Sequence, residues 1–243
     1  MTDIKRAMVL AAGFGVRLRP ITNTTPKPLV QVLGRTLIDH TIDRLHEGGV
    51  ETFIVNTHHL SEQIHAHLKN RKDVEILFSP EDEILETGGG IANALDKFGN
   101  DPFFVCNGDT LWLNGSLDAV NRMGRHWDAS KMDALLMLHS TVDAYGYEGL
   151  GDFCVDSLGL LSRRPESEVS PYLFTGVQIL HPRLFKGAPE GPFSLNVLYD
   201  KAVEARRLYG IVHDGEWFHV GTLEALGEAE NYMRKHYSEI KHR

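Results

Sequence analysis

Between Leu10 and Pro28 the chain reads LAAGFGVRLRPITNTTPKP, a stretch rich in the residue types that grip phosphate. Gly13 and Gly15 allow backbone turns closed to other residues and bring N–H groups close to a ligand. Arg17 follows, then Lys27 set between Pro26 and Pro28. Proline fixes its own φ and biases the preceding residue away from helix, so Lys27 is expected on a stiff, extended segment. A solvated lysine needs no such bracing. The combination suits a nucleoside triphosphate, with backbone N–H groups and Arg17 on the phosphates and Lys27 aimed at the one that reacts. Two glycines after a strand also make a plain tight turn, but the braced lysine weighs against that reading.

Other glycine loops fit less well. A dinucleotide fingerprint needs glycine at the sixth position of G-x-G-x-x-G, where this chain has Leu18, and no suitably placed acidic residue follows for a ribose. A Walker loop needs Gly-Lys-Ser/Thr, which is absent. Further along, Phe103-Phe-Val-Cys-Asn-Gly-Asp109 puts a carboxylate at the end of an apolar run. Beside a triphosphate, Asp109 is a natural Mg²⁺ ligand, since Mg²⁺ takes one or two carboxylates plus phosphate oxygens. A turn built for backbone reasons is the alternative, and Asn107 suits a ribose or acceptor contact as readily as a turn. Glu86-Thr-Gly-Gly-Gly90 is expected to open a helix and approach a flat nucleobase closely, with Glu81 nearby. Of the thirteen histidines, His65 and His67 are two apart and do not share a helix face, and no cysteine joins His58 and His59. A transition-metal site is not expected, nor is Ser-His-Asp chemistry, because Gly-x-Ser-x-Gly is missing.

These residues need a scaffold, and the patterning supplies one. Strand-like runs at Arg6–Leu10, Thr52–Val55, Val74–Phe78, Pro102–Cys106 and Asp133–His139 alternate with helical spacing at Leu37–His46, Ser61–Leu68, Gly90–Leu95 and Leu117–Trp127. Such alternation predicts an α/β fold, a Rossmann-like, mostly parallel mixed sheet flanked by helices, with ligands beyond the carboxyl ends of its strands. The glycine loop, Glu81, Glu86 and Asp109 all fall there. From about Tyr145 short strands (Gly151–Val155, Gly159–Arg163, Tyr172–Leu180) precede helices at Leu195–Arg206 and Leu223–His236, with an extended Tyr209–His213 between them. The expected organisation is a single domain over 1–243, with a nucleotide-binding core (1–140) and a smaller lobe (141–243) closing the site.

Composition narrows the function classes. The 243 residues are 42% hydrophobic and 24% charged, ordinary for a globular protein with a sizeable core. A net charge of −8 argues against a general nucleic-acid binder. Cys106 and Cys154 make no disulfide framework, and no run approaches a signal peptide or membrane span, so a cytoplasmic protein is expected. The sequence does not set an oligomeric state; a monomer is compatible with it.

Leu10-Ala-Ala-Gly-x-Gly-x-Arg-Leu-x-Pro, Thr25-Pro-Lys-Pro28, Leu85-Glu-Thr-Gly-Gly-Gly-Ile91, Asn107-Gly-Asp109 and Val220-Gly-Thr222 together resemble the sugar-1-phosphate nucleotidylyltransferases. The likeness runs through nearly the whole chain. Gly149-Leu-Gly-Asp-Phe153, Phe174-Thr-Gly-Val177 and Pro192-Phe-Ser-Leu195 look most like the uridylyltransferases of bacterial cell-wall recycling, which use N-acetylmuramate 1-phosphate. Short guanylyltransferases acting on mannose 1-phosphate are close in pattern. The resemblance implies attack of a sugar phosphate on the α-phosphate of a nucleoside triphosphate, with Mg²⁺ as cofactor and pyrophosphate released. It implies catalytic roles for Arg17, Lys27 and Asp109, and nucleotide contacts at Ala11, Ala12, Gly13, Gly15, Arg17, Lys27, Glu81, Gly88 and Asn107. Sugar contacts are implied at Gly151, Asp152, Thr175 and Asn196. Two positions depart from the family pattern. Relatives carry aspartate before Val-Gly-Thr as a second Mg²⁺ ligand, whereas this chain has His219, with Asp214 as a stand-in; and a Glu-Lys-Pro element is replaced by Arg163-Arg164-Pro165. A silent nucleotide-sugar sensor is the reading of another class that His219 suggests. A dinucleotide-dependent oxidoreductase is disfavoured at Leu18.

Overall fold

The computed structural model describes residues 3–236. Strand β1 (Arg6–Leu10) has Ala7, Met8 and Val9 fully buried, as befits a strand covered on both faces. After the glycine loop, a hairpin of β2 (Gln31–Val32) and β3 (Arg35–Thr36) leads into α1 (Leu37–Glu47). Then come β4 (Thr52–Thr57), α2 (Ser61–Leu68), β5 (Glu75–Pro80), α3 (Glu86–Asn93) and β6 (Phe103–Asn107). The short β7 (Leu111–Leu113), α4 (Ala119–His126) and β8 (Ala134–Ser140) follow. The remainder holds β9 (Phe153–Val155), β10 (Leu161–Arg163), β11 (Tyr172–Leu180), α5 (Asn196–Glu204), β12 (Leu208–Val212), β13 (Glu216–Phe218) and α6 (Leu223–Lys235).

Nine of these strands form one sheet. Its main run is β12-β8-β11-β6-β1-β4-β5, with β9 and β10 attached at the Tyr172 end of β11. Strands β6, β1, β4 and β5 are mutually parallel, and β8 pairs in parallel with β12. Only β11 in that run opposes its neighbours, pairing antiparallel with both β6 and β8. The chain therefore has the mostly parallel mixed sheet that strand–helix alternation predicts. Tyr172–Leu180 belongs to the second half of the sequence yet is inserted beside β6.

Strand alternation divides the core between two faces. Ala7 and Val9 pack with Ile38 and Ile42 of α1, Ile64 of α2 and Met123 of α4. Met8 packs on the opposite face with Ile91 of α3 and Leu198 and Tyr199 of α5. A third cluster sets Ala229 and Met233 of α6 against Val32, Leu111 and Phe218, tying the last helix to the first hairpin and to the β7–β13 pair. Thr36 and Thr222 cap α1 and α6, their hydroxyl oxygens accepting from the Asp39 and Ala225 N–H groups.

Two expected elements differ. The helix that Glu86-Thr-Gly-Gly-Gly90 is expected to open does begin at Glu86, but it ends at Asn93, short of the expected Leu95, and Leu95–Lys97 is a separate 3₁₀ turn. Lys27 sits not on an extended segment but in a 3₁₀ turn, Lys27–Leu29, and it is Pro26 that is extended (φ −61°, ψ 141°). Pro28 falls within the first turn, where its missing N–H has no partner to lose. The lysine is still braced, by a turn.

Candidate functional site

Strand register assembles the site. Leu10 pairs with Asn56 of β4 on one side and with Asn107 of β6 on the other, so three strand ends open at one level. The glycine loop leaves there, and Gly108 N–H donates to the Leu10 carbonyl (2.9 Å). Asn56 holds the loop's first residue: its Oδ1 accepts from Ala11 N–H (2.8 Å), while its Nδ2 donates to Glu81 Oε1 (2.7 Å). Glu81 Oε2 in turn accepts from Leu85 N–H (3.1 Å). Glu81 lines the cavity, but both of its oxygens serve the scaffold.

The two loop glycines differ. Gly15 lies in the left-handed region (φ +61°), and a Cβ there would come 2.8 Å from Lys27 Cβ. Thr22 Oγ1 ties the turn by donating to the Gly15 carbonyl (2.9 Å). Gly13 is exposed with open space around it. Leu18, the residue that breaks the dinucleotide fingerprint, is fully buried and anchors the loop. Lys27 Nζ donates to Asp109 Oδ2 as an ion pair, the lysine side chain 12% exposed and the aspartate 32%.

Two cavities meet at this pair. One, of about 380 Å³, is lined by Ala11, Ala12, Gly13, Gly15, Asn56, Glu81, Glu86 and Thr87 among others. The second, of about 190 Å³, is lined by Tyr147, Phe174, Thr175, Trp217 and His219. Arg17, Lys27, Asn107 and Asp109 line both. Beside the second, β11 is irregular between Phe174 and Gln178, with Gly176 at φ +88° and the Thr175 carbonyl accepting from Trp217 Nε1 (3.0 Å).

The remaining expected residues fall elsewhere. Gly88 does not line the cavity: a Cβ on it would strike Phe193, and the Gly88 and Gly89 N–H groups both donate to the Phe193 carbonyl. Gly90 makes room for Glu81 and Asn56. The glycine triplet is thus spent on backbone packing rather than on an open face for a base. Thr175 lines the second cavity, but its Oγ1 donates to the Met137 carbonyl (2.8 Å). Gly151, Asp152 and Asn196 stand outside both cavities, with Asp152 Oδ2 accepting from Phe174 N–H (2.8 Å). Arg164 wraps the carbonyls of Gly151, Pro165, Glu166 and Glu168, and Arg163 lies over the Phe153 ring and pairs with Asp200. Residues that the sequence reading passed over include Asn56, Tyr147 and Trp217. Asn56 had a signal, being the polar residue that ends an apolar run as Asn107 does. Tyr147 and Trp217 had none, because only tertiary packing brings them to the cavity.

Asp214 is corrected as a metal stand-in. It lies at the end of β13 remote from His219, and Phe218 pairs with Leu111, which places His219 beside Asp109. Asp214 and His219 are five residue steps apart along that strand, a span of at most roughly 16 Å. Its carboxylate accepts from Ser116 and pairs with Arg122 Nη1 (3.0 Å), which hold it below its ordinary pKa. His219 Nε2 is 3.2 Å from Arg17 Nη1. Burial, then the Arg17 and Lys27 charges, push its imidazole below the usual histidine value, against the pull of Asp109. No group of three or more His, Cys, Asp or Glu among the described residues is arranged for a metal ion. One carboxylate, Asp109, on the wall of both cavities still fits Mg²⁺, which fills its remaining positions with phosphate oxygens and water.

The sequence pattern of the nucleotidyl transferase family matches residues 6–236. The chain is 41% identical over 231 residues to N-acetylmuramate alpha-1-phosphate uridylyltransferase of Caulobacter vibrioides, covering 93% of this chain and 96% of that protein. The protein of the same name from Neisseria meningitidis serogroup B is 35% identical over 239 residues, with 93% and 96% covered. A putative glucose-1-phosphate thymidylyltransferase from Bacillus anthracis shares the fold, with a TM-score of 0.79 at 21% identity over 95% of each chain. With match and alignments both running through nearly the whole sequence, this chain belongs to the nucleotidyl transferase family.

Proposed function

We propose that the protein transfers a uridylyl group from UTP to N-acetylmuramate 1-phosphate and releases pyrophosphate, a step in the recycling of cell-wall sugar. The observation that carries this reading is the wall shared by the two cavities. Arg17, Lys27, Asn107 and Asp109 face both, so two substrates bound one on each side would meet at those residues. The choice of base and sugar rests on the two uridylyltransferase relatives.

The geometry supports an in-line displacement. The sugar phosphate oxygen attacks the α-phosphorus from the smaller cavity, while pyrophosphate departs toward the glycine loop. Such transfers need positioning and charge neutralisation more than covalent help. Backbone N–H groups at Gly13 and Gly15, with Arg17, hold the leaving phosphates. Lys27 turns from Asp109 to the α-phosphate and offsets the charge that builds there. Asp109 is the residue to hold Mg²⁺, which when bound neutralises phosphate charge. Ala11 and Ala12 bring the loop backbone against the nucleotide, with Glu81 and Asn107 at its edges. We place the reaction in the cytoplasm, where nucleoside triphosphates are made; among the described residues no helix is long and apolar enough to cross a membrane.

A matrix of nucleoside triphosphates against sugar 1-phosphates, with Mg²⁺ and pyrophosphate release as the signal, tests this directly. UTP with N-acetylmuramate 1-phosphate gives the highest kcat/KM. Absence of turnover with every pair would refute the reading, and a preference for GTP with mannose 1-phosphate would replace it.

A further inference from the structure

We propose that Tyr147 and His219 form a subsite for an acid group on the acceptor, so that the protein selects a carboxylate-bearing sugar 1-phosphate over its neutral counterpart. The inference rests on the nucleotidyl transfer proposed above and adds the residues that read the sugar.

His219 is oriented by its neighbour. Guanidinium nitrogens only donate, so the contact between Arg17 Nη1 and His219 Nε2 (3.2 Å) makes Nε2 the acceptor. With Nε2 accepting, the ring proton sits on Nδ1 as a donor. Tyr147 is set the same way. Its Oη accepts from Gly151 N–H (3.1 Å), which leaves its own hydroxyl proton to give. Close backbone fixes the phenol, because a Cβ on Gly149 would lie 2.3 Å from Tyr147 Oη. The two rings are 6.2 Å apart at 74°, and both line the smaller cavity.

Tyr147 and His219 line one cavity, and their O–H and N–H donors match in number the two oxygens of a carboxylate. Of the acidic side chains nearby, Asp109, which lines the same cavity, is paired with Lys27. Asp152 is engaged by Phe174 N–H, and Glu148, Glu224 and Glu228 line an outer cavity of about 680 Å³ that Tyr147 and His219 also border. An acid group is therefore drawn inward, toward Arg17 and Lys27. N-acetylmuramate and N-acetylglucosamine differ by one lactyl group carrying one carboxylate, so their 1-phosphates isolate the contact.

The experiment measures kcat/KM for both sugar 1-phosphates with UTP in the wild type, Tyr147→Phe and His219→Gln. Glutamine keeps an oxygen acceptor for Arg17 but has no donor in the Nδ1 position. Each variant lowers the acid-to-neutral ratio by roughly ten- to a hundredfold, the size of one hydrogen bond to a charged group. His219→Asn, whose amide N–H replaces the Nδ1 donor, retains more of the ratio than His219→Gln. Calorimetric binding of the two sugar phosphates reads the same ratio without turnover and covers a variant that folds but does not react. A ratio within twofold of wild type in both variants overturns the subsite. So does a wild type that uses both sugars equally well, and in that case uridylyl transfer itself stands. A wild type that turns over neither sugar with any nucleotide fails the parent reading instead.

Discussion

Lys27 Nζ donates to Asp109 Oδ2, joining residues 82 positions apart on the wall that the two cavities share. Without ligand, the cation and the carboxylate neutralise each other. In the proposed reaction the nucleotide phosphates offer Lys27 a second anionic partner. Lys27→Ala therefore lowers kcat by more than about tenfold, since each lost 1.4 kcal/mol of transition-state stabilisation is a factor of ten. Single-turnover rates at saturating UTP check this, and a near-normal rate would show that Lys27 does not touch the reacting phosphate.

Asp109→Asn raises the Mg²⁺ concentration for half-maximal rate by more than about tenfold, because a single carboxylate is the protein's contribution there. Chelation abolishes turnover and added Mg²⁺ restores it. Asp214→Asn leaves the Mg²⁺ requirement where it was and lowers Tm, as its partners are Ser116 and Arg122. Metal titrations of the two variants separate the roles.

Gly15→Ala forces a side chain into a left-handed turn and brings its Cβ to 2.8 Å from Lys27 Cβ. The strain costs on the order of 1–2 kcal/mol, and the displacement moves Lys27. Activity falls more than stability does, which rate and thermal-melt measurements on one sample resolve.

Asn56→Ala leaves Ala11 N–H and Glu81 Oε1 without their buried partner. The expected loss is about 1–3 kcal/mol by denaturant titration, together with a higher KM for UTP as the loop entry loosens. A variant as stable as wild type would mean that water replaces the amide.

His213 links stability to pH. Its Nε2 faces the Leu113 carbonyl, its buried Nδ1 has no partner, and burial pushes the imidazole down to about 4 against the neighbouring Asp214. The unfolded chain binds that proton near pH 6.5, so the contribution is complete above about 6.5 and declines as pH falls toward 4, by about 3 kcal/mol at the limit. His213→Gln, which keeps a hydrogen-bonding group near Leu113 and does not titrate, flattens that part of the stability–pH curve.

Much of the fold was legible along the chain. Strand Tyr172–Leu180 has the bounds read along the chain, the helix ending at Leu68 takes in Ser61 where a cap was expected, and Thr52–Thr57 extends its expected run by two residues. The glycine loop, Lys27 and Asp109, singled out by residue type and spacing alone, meet on the wall of one cavity. Reading failed where side chains are missing or serve the backbone. Gly88–Gly90 looked like an open face for a base, yet Phe193, Gly191 and Glu81 fill the space beside those glycines. Glu81 was expected among the nucleotide contacts, and its two oxygens accept from Asn56 Nδ2 and Leu85 N–H.

By itself the sequence determined the strand–helix alternation, the glycine loop and the carboxylate at a strand end, because each depends on neighbours within a few positions. Only the tertiary structure decided where His219 sits. The antiparallel pairing of β7 with β13 carries it beside Asp109 and Arg17 and carries Asp214 to the opposite end. A side chain's partners there come from strands about a hundred residues apart, and pairing register, not local spacing, sets which of them meet.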